Sequence, residues 1–473
     1  MLNKSKYLHV VPRPEGFVLY HSLYGGLCSV DQNTMDLLNI FSTPALEREA
    51  LNYAEVYGEE QVKSFIQRFK SKGFLIDSTI DECAALTQKV NDIKKHLHEG
   101  SQIRIVQLVL TNLCNFKCEY CFINDVYSSE ERFKSQASSD NKIMSTENAQ
   151  IYIEKIIEIV KKNGNKSLFV QFFGGEPLIN WKVIKFVLEH FGRGEKYGIE
   201  ITYSIVTNGS LFTSEIAAYC KNYDVAVIVS FDSPRGKARN FANGKNSIDE
   251  VEHNLSLLSK NGNRVVFNSV LSEKTFQYFD TDLVDFALKY YIFEIGVLLD
   301  LDPEFYEKHK TKDIVEKLWK VYTYGKQKGV LLTGYWHMIF QQMLNTNIFE
   351  VRGFKTCSAT GCQLSVEPSG DVYACKGSSG YFGNILEPEE LLSSKNYWKY
   401  ALRTFQNATE CDGCEIELFC SGFCLGPLEK KYRDIYVIEK NTCGIYKEIT
   451  KRLIGDVEID EIETYKISDR GDE

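Results

Sequence analysis

The chain has 473 residues, and its formal net charge of −9 offers no overall basic surface for nucleic acid. Hydrophobic residues make up 44% and charged residues 25%, as in an ordinary globular protein, and no apolar run reaches the roughly 18 residues that a membrane span needs. The first residues lack the long apolar segment of a signal peptide, so we expect a cytoplasmic protein with neither membrane nor nucleic acid as a partner. Because a reducing cytoplasm disfavours disulfides, the 14 cysteines indicate metal or redox chemistry.

Residues 1–80 form a first unit, in which no cysteine cluster occurs. Strand and helix patterns predict two strands, then two helices, then a last strand in KGFLID. This order predicts a small winged-helix domain. The predicted strands and helices are Tyr7–Val11, Phe17–Tyr20, Asn33–Phe41 and Glu59–Lys72.

A winged-helix domain often binds DNA, but residues 1–79 carry eight Lys and Arg against nine Asp and Glu. A near-neutral domain lacks the electrostatic footprint that phosphate binding needs. The edge of a small sheet beside a helix can instead accept an extended peptide as an added strand, and Gly16–Ser22 is the candidate edge. We therefore expect a peptide-binding domain, with a purely structural cap as the alternative.

Residues 81–100 are typical of a helical linker, and from residue 101 to about 330 apolar strands alternate with amphipathic helices. The clearest helix runs from Ala149 to Val160, with Ser145 as its cap. This alternation predicts an α/β fold with a parallel sheet and right-handed crossovers, of the partial (β/α)6 TIM-like barrel type. The predicted strands are Arg104–Leu110, Leu168–Phe173, Ile199–Val206, Val225–Phe231, Arg264–Leu271 and Phe293–Leu299.

The segment LTNLCNFKCEYCF follows the first of these strands and places Cys114, Cys118 and Cys121 on one short loop. In parallel sheets, ligand sites lie where the strands end at their carboxyl side. Three thiolates can bind a [4Fe–4S] cluster, which normally takes four, and would leave one iron open for a substrate or cofactor. A zinc site with a distant histidine as fourth ligand is the alternative, although structural zinc favours paired two-residue spacings.

Small and polar residues follow the next three predicted strands at the same end of the sheet. Each motif alone is more often an ordinary turn, but their occurrence after successive strands predicts one shared site. These residues are Gly174, Gly175, Glu176 and Pro177 in FFGGEPL, Thr207 and Asn208 in VTNGS, and Ser230 and Asp232 in VSFDSP.

The triplet, with Tyr120 before its last cysteine, and these strand ends together resemble the signature of the radical S-adenosylmethionine superfamily, over residues 101 to about 330. The resemblance implies a [4Fe–4S] cluster on the triplet and S-adenosylmethionine bound by Tyr120 and the strand-end residues, with its amino group at Gly174–Pro177. Asp232 is the candidate catalytic residue. The resemblance further implies that reductive cleavage of the sulfonium releases a 5′-deoxyadenosyl radical, which takes a hydrogen atom from an unreactive C–H bond.

From Cys357 onward the cysteine spacing becomes C-x4-C-x12-C, then C-x2-C-x5-C-x3-C and a last Cys443. This resembles the extension called SPASM, which carries two auxiliary iron–sulfur clusters; a zinc ribbon is the alternative. Full ligation would favour electron transfer over substrate binding. The resemblance implies two further [4Fe–4S] clusters, one held by Cys357, Cys362, Cys375 and Cys424 and the other by Cys411, Cys414, Cys420 and Cys443.

Three cysteines remain outside these groups, and buried core thiols are the default interpretation for them. A hydrogen-donor role for one of them is the alternative. They are Cys28, Cys83 and Cys220.

The whole arrangement is similar to maturases of ribosomally made peptides. We expect the first domain to bind the leader of a precursor peptide while the barrel installs a thioether or C–C crosslink or another modification, with an external donor such as flavodoxin or ferredoxin supplying electrons. The expected divisions are a leader-recognition domain 1–80, a linker 81–100, a barrel 101–330, a bridging region 331–356, a SPASM domain 357–445 and an acidic tail 446–473.

Three alternatives stay open: an anaerobic sulfatase maturase that forms formylglycine, a peptide epimerase, and a non-enzymatic scaffold. Sulfatase maturases typically carry an Asp base after the third auxiliary cysteine, whereas Lys376 follows Cys375 here. A lysine is protonated near neutrality unless it is buried. This departure and the additional first domain count against sulfatase activation.

Overall fold

The computed structural model describes residues 1–97, 99–121, 143–299, 303–345, 357–404, 408–420, 422 and 424–468. No helix within these ranges is long and apolar enough to cross a membrane. Residues 346–356 of the predicted bridging region lie outside the described ranges.

The amino-terminal unit begins with a short strand and an antiparallel meander, and helices follow. A last strand returns to pair antiparallel with the first. The strands are β1 (Leu2–Lys4), β2 (Leu8–Arg13), β3 (Gly16–His21), β4 (Gly25–Val30) and β5 (Leu75–Asp77). The helices are α1 (Gln32–Ile40), α2 (Glu47–Leu51), α3 (Ala54–Tyr57) and α4 (Glu59–Ser71).

The two long helices and the first two predicted strands of this unit are confirmed to within two residues, and the predicted strand in KGFLID begins three residues later, at Leu75. The prediction missed β4, because Gly25 and Gly26 both have positive φ and are typical of a turn. The prediction that Gly16–Ser22 is a sheet edge is wrong. Strand β3 pairs with β2 on one side and with β4 on the other, so it is the middle strand of the meander.

Helix α5 (Ala84–Leu97) lies within the predicted linker and leads into a large sheet. Its first six strands are parallel and lie side by side in chain order, and each prediction is confirmed to within one residue. These strands are β6 (Ile105–Val109), β7 (Ser167–Phe173), β8 (Glu200–Thr207), β9 (Ala226–Ser230), β10 (Val265–Leu271) and β11 (Glu294–Leu299).

Amphipathic helices connect the parallel strands. The first of them is capped as predicted, since the side chain of Ser145 accepts a hydrogen bond from Asn148 N. The connecting helices are α6 (Thr146–Lys162), α7 (Trp181–Phe191), α8 (Ser214–Asn222), α9 (Ile248–Asn261) and α10 (Asp282–Lys289).

The sheet extends beyond the six predicted strands at both edges. Helices α11 (Pro303–Lys308) and α12 (Thr311–Lys328) lead to β12 (Leu331–Thr333), which pairs in parallel with β11 and is followed by α13 (Tyr335–Leu344). At the other edge, β13 pairs in parallel with β6, and β14 and β15 continue antiparallel. This ten-stranded sheet therefore includes part of the cysteine-rich region. The added strands are β13 (Gln363–Val366), β14 (Asp371–Tyr373) and β15 (Tyr381–Asn384).

The carboxyl-terminal part consists mainly of helices and ends in a strand that returns to the amino-terminal unit. The predicted acidic tail from residue 446 begins inside the last helix. Strand β16 pairs in parallel with β4, so the small sheet has four strands in the order β16-β4-β3-β2. These elements are α14 (Pro388–Ser393), α15 (Lys395–Ala401), α16 (Leu425–Tyr432), α17 (Lys440–Asp456) and β16 (Glu463–Tyr465).

Two hydrophobic cores meet at the amino-terminal sheet. On one face of β3, Val18 and Tyr20 belong to the main core around the large sheet. On the other face, Leu19 packs in a smaller core with Phe65 and Phe69 of α4. Because side chains alternate along a strand, β3 contributes to both cores. The amino-terminal unit is thereby joined to the rest of the molecule by buried apolar surface.

Candidate functional site

The loop that carries the cysteine triplet follows β6 and is tied to the segment after β9. Lys117 N donates a hydrogen bond to Asn240 O at 2.8 Å. The rings of Phe116 and Phe241 pack edge to face with their centroids 4.9 Å apart. These contacts hold the triplet at the carboxyl end of the parallel strands, where the sequence predicted a site.

The three thiols of the triplet interact with one another electrostatically. Burial raises the pKa of Cys114 to about 11, and the neighbouring Cys118 and Cys121 also raise it. Phe116 N donates to Cys114 Sγ at 3.4 Å, and Asn208 Nδ2 lies 4.0 Å from the same sulfur. Metal binding would deprotonate these thiols, because the coordinating species is the thiolate.

Gly174 and Gly175 let the turn after β7 pack directly on the segment that precedes the triplet. A Cβ on Gly174, whose φ is +152°, would lie 2.4 Å from Thr111 O, and one on Gly175 would lie 2.3 Å from Leu113 O. Gly175 N and Glu176 N donate to these same carbonyls, each at 2.8 Å. The two glycines are therefore required for contact between two strand ends.

The carboxyl group of Glu176 joins the ends of β7 and β8. Its Oε1 accepts hydrogen bonds from Leu178 N at 3.1 Å and Thr207 Oγ1 at 2.8 Å, and its Oε2 accepts one from Asn208 N at 2.7 Å. Glu176 is completely buried, and burial raises its pKa to about 7 against the opposing effect of these donors. Pro177 follows in the first position of a 3-10 turn. Contact of Glu176 with a cofactor remains a prediction.

Asn208 extends this network to the triplet loop. Its side-chain amide donates to Asn115 Oδ1 at 2.8 Å, and its carbonyl oxygen accepts from Ser210 Oγ at 2.7 Å. Asn115 Nδ2 donates in turn to Ser210 Oγ at 2.9 Å. The structure thus brings the predicted residues of three strand ends together beside Cys114.

A second network surrounds Asp232, which is buried. Tyr120 donates its hydroxyl hydrogen to Asp232 Oδ2, Arg239 Nη1 donates to Tyr120 OH at 2.7 Å, and Val270 N donates to Asp232 Oδ1 at 2.9 Å. Burial raises the pKa of Asp232. The nearby charge of Arg239 and the hydrogen bonds from Tyr120 and Val270 N lower it. Asp232 therefore orients Tyr120, which lies between the second and third cysteines of the triplet.

A pocket lies at the carboxyl ends of the strands, with Asn208, Ser230, Asp232 and Arg239 in its wall. Within the described part of the chain, the buried Nε of Arg239 has no hydrogen-bond partner. Such a donor is costly to bury unless something accepts from it. A ligand with a carboxylate or another oxygen acceptor would satisfy it.

The cysteine-rich region contains two groups of interacting thiols. In the first, Cys357 and Cys424 both raise the pKa of Cys375, so a cysteine late in the sequence joins two early ones. In the second, burial raises the pKa of Cys420 to about 12, and three further cysteines contribute to this. The members of the second group are Cys411, Cys414, Cys420 and Cys443.

Cys362 is buried, and the contact described for its sulfur is with Gln102 Oε1 at 4.0 Å. Its place in the first group remains a prediction. Among the described residues, no set of three or more His, Cys, Asp or Glu side chains converges on a single metal ion. This is compatible with the thiol groups above, because the thiolates of a [4Fe–4S] cube bind different iron atoms.

Cys28, Cys83 and Cys220 are buried, as the default interpretation predicted. Lys376 is buried too, with its Nζ 2.9 Å from Asn112 Oδ1 and 3.5 Å from Glu367 Oε1. Burial lowers the pKa of Lys376 well below its usual range. The residue that departs from the sulfatase-maturase pattern thus lies between the cysteine-rich region and the triplet loop.

Sequence reasoning missed Arg239 and Asn115. Arg239 is one of several cations in SPRGKARN, and nothing in the sequence separates it from its exposed neighbours. Asn115 does carry a signal, since it follows the first cysteine of the triplet directly and could have been assigned to the same site.

Comparisons with known proteins agree with this geometry. The sequence matches the radical SAM superfamily over residues 108–281. It is 45% identical over 451 residues to the radical SAM cyclopropyl synthase TigE of Paramaledivibacter caminithermalis, which covers 95% of each chain. It is also 26% identical over 365 residues to a cysteine-type anaerobic sulfatase-maturating enzyme of Clostridium perfringens, covering 71% of this chain and 92% of that one.

Among solved structures, Streptococcus suis SuiB bound to the precursor peptide SuiA is similar in fold, with a TM-score of 0.52 and 16% identity over 92% of this chain and 99% of that one. The high identity to the cyclopropyl synthase extends over nearly the full length of both proteins. The chain is therefore an enzyme of the radical SAM superfamily.

Proposed function

We propose that this enzyme closes a cyclopropane ring in an aliphatic side chain of a ribosomally made precursor peptide. The observation that carries the proposal is the 45% identity to a cyclopropyl synthase across 95% of both chains. That match includes the barrel strands, most of the cysteine-rich region and most of the amino-terminal unit, since only about a twentieth of either chain lies outside it. A cyclopropane contains a new C–C bond within one residue, which is one of the products that the sequence left open.

The chemistry sets three requirements. Closing a three-membered ring in an aliphatic side chain makes one C–C bond and removes two hydrogens. One leaves as a hydrogen atom, and the other leaves as a proton together with an electron. The enzyme must therefore offer a hydrogen-atom acceptor, a proton acceptor and an electron acceptor.

Membership of the superfamily implies a [4Fe–4S] cluster and S-adenosylmethionine, which together supply the radical that takes the hydrogen atom. Cys114, Cys118 and Cys121 fit such a cluster, because they offer three interacting thiols on one loop. The pocket beside them fits the cofactor, because the unpartnered Nε of Arg239 can donate to its carboxylate. Asp232 and Tyr120 hold the Arg239 side chain in place through the hydrogen bonds described above.

The two thiol groups of the cysteine-rich region would hold two auxiliary [4Fe–4S] clusters, which would supply electron transfer. Cys375 and Cys424 are half-buried and both interact electrostatically with Cys357, which supports a shared centre in the first thiol group. An external flavodoxin or ferredoxin would deliver the electrons that start each cycle.

The amino-terminal unit would recognise the leader of the precursor. Its near-neutral charge and its small sheet favour an extended peptide over nucleic acid. One face of this sheet packs on the main core, so a leader bound there would lie next to the parallel sheet.

The experiment is anaerobic reconstitution followed by incubation with S-adenosylmethionine and the peptide encoded by a short neighbouring reading frame. We expect roughly twelve irons per chain, 5′-deoxyadenosine as a product, and a peptide that has lost two hydrogens without a new crosslink between residues. Zinc in place of iron, or a peptide of unchanged mass despite cofactor cleavage, would refute the proposal.

Replacing Cys114, Cys118 and Cys121 with Ala should abolish cofactor cleavage while roughly eight irons remain in the auxiliary groups. The matched control is Cys220→Ala, which removes a buried thiol of α8 outside all three groups. Normal cleavage by the triple variant would remove the triplet from the mechanism.

Formylglycine formation in a sulfatase is a second candidate, because the sulfatase-maturating relative is matched over 92% of its length. Lys376 in place of the Asp base argues against it. Incubation with a sulfatase-derived Cys or Ser peptide tests it, since formylglycine is detected with hydrazide reagents and a cyclopropane is not.

A further inference from the structure

The end of the chain already occupies an edge of the amino-terminal sheet. Glu463–Tyr465 pair in parallel with Cys28–Val30 of β4, whose other side pairs with β3. The opposite outer strand, β2, packs against α17, where a Cβ on Gly455 would lie 3.7 Å from Val11 Cγ1. The β4 edge is thus a place where this protein holds an extended segment.

Side chains of the unit bind the backbone of this segment beyond the strand pairing. Asp31 Oδ2 accepts from Ile467 N at 3.0 Å, and Asn33 Nδ2 donates to Ile467 O at 2.9 Å. Gln61 contacts Ser468 twice, with Nε2 donating to its carbonyl and Oε1 accepting from its N–H, each at 3.2 Å. Such main-chain contacts recognise an extended peptide whatever its side chains are.

Alternate side chains of the segment enter the smaller core. Tyr465 lies against Phe65 and Phe69 of α4 with ring centroids 6.5 and 5.6 Å away, and the guanidinium of Arg68 lies 5.2 Å from its ring. Ile467 is only 1% exposed. The groove between β4 and α4 therefore has one aromatic and one aliphatic subsite, two residues apart.

A third subsite is basic. Glu463 forms ion pairs with both Arg68 and Lys72, which are near the end of α4. The groove therefore selects an extended peptide that carries an acidic residue, then an aromatic residue two positions later, then an aliphatic residue two positions after that. These are the alternate positions of a strand, which place side chains on one face.

We propose that residues 463–468 are a built-in occupant of the leader-binding groove, and that a precursor leader with the same acidic, aromatic and aliphatic pattern displaces them. The inference rests on the proposed function, because it names the leader chemistry that the amino-terminal unit recognises. Strand β16 is only three residues long, so the segment makes few main-chain pairs to lose. Leader binding then exchanges one added strand for another.

Tethering makes the segment an effective competitor. A covalently linked strand acts at an effective concentration of roughly millimolar. The apparent dissociation constant of a free peptide rises as the open fraction of the groove falls. If the groove is open in about a tenth of the molecules, a free peptide binds the intact chain about tenfold more weakly than a chain whose end is released.

The test uses a fluorescein-labelled peptide with the sequence of residues 460–468, DEIETYKIS, and measures its anisotropy with the holoenzyme. The variant Tyr465→Ser with Ile467→Ser releases the segment in the full-length chain. We expect this variant to bind the probe at least about tenfold more tightly than the intact chain. A probe carrying the same two serines should bind neither chain.

Two further variants test the groove itself, and both are made in the chain that carries Tyr465→Ser and Ile467→Ser. Gln61→Ala should weaken probe binding several-fold, because Gln61 holds the probe backbone at two atoms. Lys63→Ala is the matched control on the same helix, since Lys63 forms its described ion pair with Glu59 one turn away. It should leave probe affinity unchanged.

Equal affinity of the intact and released chains would overturn the proposal, and so would no binding to either. Hydrogen exchange tests the proposal even if the double variant misfolds. Gln61→Ala in the otherwise intact chain should speed exchange at the β4 amides, because it weakens the hold on the segment that pairs with β4. Unchanged exchange there would also contradict it. Because these measurements need neither S-adenosylmethionine nor precursor, their failure is distinct from a failure to form cyclopropane.

Discussion

The buried carboxyl group of Glu176 joins two strand ends of the site. Its two oxygens accept hydrogen bonds from Thr207, Leu178 N and Asn208 N, so the ends of β7 and β8 are fixed relative to each other. Burial penalises the charged carboxylate, and the three donors stabilise it. The raised pKa of about 7 means that burial is the larger effect.

The variant Glu176→Gln tests this balance through pH. Because the pKa in the folded protein, about 7, lies above the ordinary 4.5, the carboxyl contributes stability that is complete below about pH 4.5 and is lost as pH rises through 7. We expect the unfolding free energy of the wild type minus that of the variant to fall across this range, by up to about 1.4 kcal/mol per pH unit. Urea unfolding of both proteins between pH 5 and 8 measures it.

The matched control for this pH series is Glu250→Gln, an exposed first-turn residue of α9, which should show no comparable slope. If the Glu176 difference stays flat between pH 5 and 8, the pKa is not raised and the three donors offset the effect of burial.

At this scale the sequence identified residues by type and position but did not reveal their partners. Cys114, Thr207 and Asn208 were predicted at one end of the sheet, and the structure places them side by side. Arg239 was not predicted, because its contact with Tyr120 depends on the path of the loop that follows β9. A loop path is set by tertiary packing rather than by local propensity.

Among the elements, the turn after β7 and the loop after β6 behave as one unit. Gly174 and Gly175 make room for the carbonyls of Thr111 and Leu113, and backbone hydrogen bonds join the two segments. A change in this contact therefore moves the triplet loop without touching a cysteine.

The variant Gly175→Ala should reduce both iron on the triplet and cofactor cleavage, because its Cβ would lie 2.3 Å from Leu113 O, which is backbone and cannot rotate away. We expect a loss of about 1–3 kcal/mol of unfolding free energy. The control Gly455→Ala adds a Cβ at an ordinary 3.7 Å from Val11 Cγ1 inside α17 and should stabilise by about 0.5–1 kcal/mol. Iron content and urea unfolding measure both effects. The packing argument would be contradicted if Gly175→Ala kept its iron and stability while Gly455→Ala lost stability.

The strong periodic elements could be predicted from the sequence, and the weak ones could not. Six parallel strands and α6 have clear apolar patterns, and their bounds agree with prediction to within one residue for the strands. Strands β12 and β16 have three residues each, which is too short for a periodic signal. They form because a neighbouring strand offers unpaired backbone groups. That neighbour is distant in sequence, so a prediction from a short stretch of sequence does not include it.

At the scale of the whole molecule, sequence divisions and structural contacts differ. The cysteine-rich region continues the large sheet through β13, and the chain end returns to β4. Removing residues 1–80 would uncover the part of the main core that packs on Val18 and Tyr20 of β3, together with Tyr465 of the last strand. Point variants therefore test the role of the amino-terminal unit better than its deletion does.

One such point is Tyr7, whose hydroxyl links the amino-terminal unit to the second thiol group. Tyr7 is completely buried, and its hydroxyl donates to Asp412 Oδ1 at 2.9 Å and lies 2.8 Å from Cys83 Sγ. Asp412 directly follows Cys411, and Lys6 pairs with the same carboxylate at 2.7 Å. Movement of the amino-terminal unit would thus reach a loop that we propose to hold an auxiliary cluster.

The variant Tyr7→Phe removes this hydroxyl and keeps the ring. We expect a loss of about 1 kcal/mol of unfolding free energy, faster hydrogen exchange in residues 408–420, and an altered electron paramagnetic resonance signal from the second thiol group with an unchanged signal from the triplet. Tyr24→Phe is the control, because Tyr24 is exposed and its hydroxyl donates to Glu82 O at 3.0 Å, away from the thiol groups. Equal perturbation of all three cysteine groups, or of none, would mean that the Tyr7 contact carries no specific coupling between the amino-terminal unit and the second thiol group.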